Sequence, residues 1–94
     1  MKPSYKSLEK FLKATPQHVQ KITLSFEQVE MIVGAPLPTS HLTHRQWWEN
    51  QADIARRPQA RAWTNAGFQV DKVNQAKTNG WVRFRRLPNS MPTG

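Results

Sequence analysis

The chain has 94 residues, 37% of them hydrophobic, which suits one domain and is too short for two independent cores. It contains no cysteine, which excludes disulfide frameworks, zinc ribbons and thiol nucleophiles, and no apolar run approaches the roughly 20 residues of a membrane span. Fourteen Lys and Arg oppose six Asp and Glu for a formal net charge of +8, which points to a polyanionic partner because neutralised phosphates release counterions.

Met1 to Tyr5 lacks the apolar core of a signal peptide, so a cytoplasmic location is expected. Tyr5, Leu8, Phe11 and Leu12 then recur at helical spacing, with Ser4 as N-cap and Thr15-Pro16 as the stop. Lys21-Ile22-Thr23-Leu24 alternates polar and apolar, the pattern of a half-buried strand. Ser25 stands three residues before Gln28, a capping box that opens a second helix with Phe26, Val29 and Val33 on one stripe. Gly34 ends it, and Pro36-Leu37-Pro38 forces an extended connection. From Thr43 to Ala55 the rows Trp47, Gln51, Ile54 and Trp48, Ala52, Ala55 predict a third helix. Pro58 suits the first turn of a fourth, which buries Ala62, Trp63 and Ala66 and stops at Gly67.

The end of the chain reads as a hairpin: Phe68 to Val73, a Thr78-Asn79-Gly80 turn, and Trp81 to Arg86. Val82 and Phe84 point to one side of the second arm, Trp81, Arg83 and Arg85 to the other. Leu87 to Gly94 carries two Pro, one Gly and no charge, and is expected to be a flexible tail. The early strand can join the hairpin in a three-stranded antiparallel sheet. The expected fold is therefore α+β, helix-strand-helix-helix-helix-strand-strand, winged-helix-like, with residues 1–86 as one nucleic-acid-binding domain and 87–94 as the tail.

The charge is unevenly spread. Nine basic residues face three acidic ones between Arg45 and Arg86, whereas the first 44 residues carry five against three. The excess is mostly arginine, whose planar fork fits phosphate and guanine edges. In a winged-helix reading, Ser25 to about Gln51 forms a helix-turn-helix, and Ser40, His44 and Arg45 face the major groove. Arg83 and Arg85 form a charged strand face that packing does not need, with Lys72 and Lys77 completing a wing. Such charges also protect an open strand from aggregation. Arg56, Arg57 and Arg61 frame the start of the fourth helix, where free amides already attract anions.

Trp47 and Trp48 are placed in the core, although exposed aromatics can stack on bases; Trp63 is core as well, and Trp81 is the aromatic expected to be exposed. His41-Leu42-Thr43-His44 has a metal-like look without the ligands of a closed site, so both histidines are read as surface residues. No metal or cofactor is expected. With no glycine-rich phosphate loop and no set of nucleophile, base and orienting group, no enzymatic activity is expected. The reading is a DNA-binding protein, acting first on duplex DNA, with single-stranded nucleic acid as an intermediate case. The alternative is a phage or defence-system accessory that binds another protein through aromatic anchors such as Trp48 or Trp81.

Six motifs carry a family resemblance: Leu24-x-Phe26-x-x-Val29-Glu30-x-x-x-Gly34, Leu37-Pro38-x-Ser40, Trp47-Trp48-x-Asn50, Gln59-Ala60-x-Ala62-Trp63, Ala66-Gly67-Phe68-x-Val70 and Val82-x-Phe84-x-Arg86. Together they resemble a small bacterial and phage domain family without an established function, over most of the chain from Tyr5 to Arg86. Its members look like stand-alone proteins or appendages to nuclease domains of the GIY-YIG type and other restriction-like enzymes. The resemblance implies a nucleic-acid context and no catalytic residues. His41 and Phe68 depart from the family pattern, which has Ala and Trp at those places.

Overall fold

A computed structural model describes residues 3–48 and 58–87. The elements run α1 Tyr5–Lys13, β1 Lys21–Ser25, α2 Phe26–Val33, α3 Ser40–Thr43, a 3-10 turn Arg45–Trp48, α4 Pro58–Asn65, β2 Phe68–Asn74 and β3 Trp81–Arg86. The three strands form one antiparallel sheet in the order β1-β3-β2. The fold is thus α+β, and the early strand does join the late hairpin, beside β3.

Local chemistry explains most of the boundaries. Ser25 Oγ accepts from the Gln28 amide while Gln28 Oε1 accepts from the Ser25 amide, so the expected capping box closes in both directions. Gly34 ends α2 in the left-handed region at φ 79°. The Glu30 carboxylate then accepts from the Leu37 amide at 2.8 Å and holds the proline-rich connection against α2. In α1 the buried stripe is Leu8, Glu9 and Leu12, with Tyr5 half-buried. Phe11, expected on that stripe, is 37% exposed and Glu9 lies inside instead.

The helix expected from Thr43 to Ala55 is not continuous. α3 ends at Thr43, and a single 3-10 turn follows. A continuous helix would offer the carbonyls of His41 and His44 to amides four residues on. Instead His41 O accepts from Trp48 Nε1 and Gln75 Nε2, and His44 O accepts from Gln75 Nε2. Side chains from elsewhere in the fold compete for the backbone acceptors. The remainder of that expected helix, and the tail after Leu87, lie outside the described residues.

A column of rings joins the layers. Phe26 of α2 stacks on Trp48 of the 3-10 turn at 5.3 Å, Trp48 on Trp63 of α4 at 5.8 Å, and Trp63 meets Phe84 of β3 at 5.4 Å. Trp63 and Phe84 are fully buried, and Trp48 satisfies its indole N–H on His41 O. The inner sheet face adds Leu24, Val82 and Phe68 to this core.

The hairpin turn is built differently from its composition. Asn79, not Gly80, takes the positive φ, at 62°. Gly80 is required because a Cβ there would stand 2.5 Å from both Ala76 O and the Phe26 ring. Its carbonyl accepts from the Phe26 amide, which ties the hairpin to the start of α2.

Candidate nucleic-acid interface

β3 alternates as expected: Val82 and Phe84 are buried, and Trp81, Arg83 and Arg85 occupy the opposite, open face in half-buried positions. Register extends that face to both neighbours. On β1, Lys21 lies opposite Arg85, Thr23 opposite Arg83 and Ser25 opposite Trp81. On β2, Gln69 lies opposite Arg85, Lys72 opposite Arg83 and Asn74 opposite Trp81.

A register shift between Val70 and Lys72 inserts Asp71 as an extra residue on β2. Asp71 Oδ2 accepts from Arg83 Nε at 2.8 Å, and Asp71 Oδ1 lies 3.7 Å from Arg85 Nε. One carboxylate therefore serves two guanidinium groups, whose side chains remain 35% and 41% exposed. Exposed pairs of this kind add about 0–1 kcal/mol to stability, so their effect is chiefly on orientation. Asp71 hydrogen-bonds Arg83 Nε and only approaches Arg85 Nε, which is buried without completing a hydrogen bond. Lys21, Lys72, Arg83 and Arg85 thus share the face with a single carboxylate among the described residues.

The other predicted residues lie elsewhere. His44 and Arg45 are exposed in the connection after α3, and Thr43 Oγ1 meets His44 Nδ1 at 2.9 Å. Ser40 opens α3, and its side chain lies outside the described part. Gln75 latches this connection to the hairpin through the His41 and His44 carbonyls. Between them opens a cleft of about 410 Å³, lined by Glu27, Glu30, His41 and Lys77 among others. Two carboxylates make that cleft, which Lys77 also lines, a poor seat for phosphate. Arg61 is exposed on α4, in the helical layer, lining a groove of about 520 Å³ with Tyr5, Lys6, Glu9 and Asn65. Lys13, hydrogen-bonded to Glu9 at 2.8 Å, holds the Glu9 carboxyl below its usual range; burial opposes this, while Lys6 and Asn65 reinforce it. Burial also raises the Tyr5 phenol. Arg56 and Arg57 lie outside the described residues.

Three residues read differently from the sequence. His41 is buried, edge-on to Phe26 at 4.9 Å, with Nδ1 2.6 Å from Pro38 O, so it is not a surface histidine. Trp81, expected to be exposed, is half-buried, whereas Trp48, 2% exposed, lies in the core as expected and cannot serve as an anchor. Arg86, counted in the basic excess, is committed to structure: it reaches Val19 O, Pro16 O and Thr15 O and lies 4.6 Å from the Phe68 ring centroid. Lys21 was missed as a site residue. Its signal was the polar half of the β1 alternation, which joins the arginine face once β1 pairs with β3.

The class so defined is a small α+β domain with helices on one side of a three-stranded sheet and a cationic face on the other. The chain belongs to the family described as Domain of unknown function (DUF7662), whose profile matches residues 5–86. No curated protein and no solved structure matches it. Among the described residues no helix is long and apolar enough to cross a membrane.

Proposed function

We propose that this protein binds DNA through the open sheet face, with Lys21, Lys72, Arg83 and Arg85 on phosphates. The observation that carries the reading is the gathering of these four cations from three strands around one carboxylate. Phosphate contacts supply affinity without sequence preference, because each neutralised charge releases counterions from the strand. The strand order β1-β3-β2 supports a winged-helix-like reading in which β2 and β3 form the wing. The short α3 gives little length for a groove-reading helix, so Ser40, His44 and Arg45 are secondary candidates behind the sheet face. The resemblance to domains attached to nucleases supports the same setting, and a cytoplasmic location accords with it.

The test is a titration of labelled duplex and single-stranded DNA over a salt range. Log affinity should fall linearly with log salt, with a slope near −3 to −4 for three or four phosphate contacts on duplex. A folded protein that binds neither form at low salt would sink the proposal. A second reading, a protein-binding accessory, has one observation in its favour: Met31 is 80% exposed on α2. Its signature would be a partner captured independently of salt and lost in Met31→Asp.

A further inference from the structure

The open sheet face carries a half-buried aromatic that lies outside the core. Phe26, Trp48, Trp63 and Phe84 stack in one column, and Trp47 packs beside it. Trp81 stands on the other side of the sheet, outside the core cluster and its packed fringe. Its position follows from register: it alternates with buried Val82 and shares its face with Arg83 and Arg85.

Trp81 also has small polar neighbours across the strands, Ser25 on β1 and Asn74 on β2. Both are small, and the indole is half-buried, with part of its surface open on that face. An amphipathic aromatic on a pleated sheet, with cations one and two steps along the same strand, combines the two parts of a single-strand binding surface: a stacking platform and a phosphate track. Successive same-face residues on an antiparallel strand are about 6.8 Å apart, so a base on Trp81 leaves its flanking phosphates free to meet Arg83 and Arg85.

Resting on the DNA-binding reading above, we infer that the sheet face selects single-stranded over duplex nucleic acid, with one unpaired base stacked on Trp81. The physical reason is accessibility. In a duplex both faces of each base are covered by its neighbours, so the indole gains nothing there and only phosphate contacts remain. In a single strand the same phosphates are present and a base face is open. Stacking on an aromatic is tolerant of base identity because every base has a π-face, so the preference concerns strandedness and not sequence.

The experiment compares a labelled oligothymidine 12-mer with a 12-base-pair duplex, using the whole chain and its Trp81→Ala, Trp81→Phe and Arg83→Ala/Arg85→Ala variants. Loss of one base stack should weaken oligothymidine binding roughly 5- to 150-fold, change duplex binding by less than about twofold, and be largely restored by Phe. Quenching of tryptophan fluorescence by oligothymidine should disappear in Trp81→Phe, which keeps an aromatic ring there and guards against an unfolded Ala variant. The double arginine variant should weaken both forms. Equal losses on both forms in Trp81→Ala, no loss on either, or unchanged quenching in Trp81→Phe would overturn the stacking role while leaving DNA binding through the arginines intact. Failure of the folded wild-type chain to bind either form would overturn both readings.

Discussion

The two faces of the sheet are made from the same strands and obey opposite rules. On the inner face the sheet joins a run of packed rings: Phe84 against Trp63, Trp63 against Trp48, Trp48 against Phe26. On the outer face, Arg83 and Arg85 share one acidic partner, and Trp81 lies outside the packed core. Within β3 the change occurs at every residue. Stability therefore resides in the even positions and the proposed recognition in the odd ones, and a substitution on one face should leave the other property nearly untouched.

The sharpest way to break that division is Trp63→Ala. Trp63 is fully buried between two other rings, and truncating a buried aromatic typically costs about 3–5 kcal/mol. Denaturant unfolding should show a loss of that size, a large share of a small domain's stability. Gly80→Ala comes next. Its Cβ would collide with Ala76 O and the Phe26 ring, and forced overpacking costs about 1–3 kcal/mol. The same unfolding assay should report that loss, and a neutral result would mean that the turn can move away from α2.

The outer face should respond in the opposite sense. Arg83→Ala with Arg85→Ala should change stability by no more than about 1 kcal/mol, while DNA affinity falls and the salt slope drops by about 2. Unfolding and binding titrations on the same samples read both effects. Asp71→Asn should move binding the other way, tightening it severalfold at low salt, because it removes the one carboxylate and keeps the side-chain shape. If affinity falls instead, the orientation that Asp71 imposes on the arginines outweighs its charge.

The smallest effect is expected at Glu9, in the helical layer. Its folded-state pKa lies below the ordinary value of 4.5, chiefly through Lys13. A depressed carboxylate adds stability that is present above its unfolded-state pKa and is lost as pH falls through the lowered value. Glu9→Gln should therefore flatten the acid limb of melting temperature against pH and leave the alkaline side unchanged, as thermal melts across the acidic range can check.

Much of this molecule was legible residue by residue. The Ser25–Gln28 box, the Gly34 stop and the β3 alternation each depend on neighbours within a few positions, and each stands where the sequence predicts it. The candidate site was legible only in part. Arg83, Arg85 and Lys72 were found from alternation and charge, but their union with Lys21 and their shared carboxylate were not. Lys21 meets Arg85, 64 positions away, and no local pattern announces such a pairing. The bulge that supplies Asp71 is a property of two strands in register, invisible in either alone.

What the sequence by itself determined, then, is the element order outside the third helix and the two-sided character of the hairpin, because capping, turn chemistry and period-two alternation are short-range effects. Tertiary structure alone decided which charges remain available. It drew Arg86 inward to the carbonyls of Thr15, Pro16 and Val19, up to 71 positions away. It left Arg61 among the helices, on a groove that Glu9 also lines, and set Lys77 on a cleft lined by Glu27 and Glu30. It also broke the expected third helix after Thr43, where a 3-10 turn stands over Arg45–Trp48. For Arg86 and for the third helix the reason is the same: a polar side chain goes where a backbone carbonyl is left to be satisfied, and the distant acceptors of this chain are known only once the strands have paired.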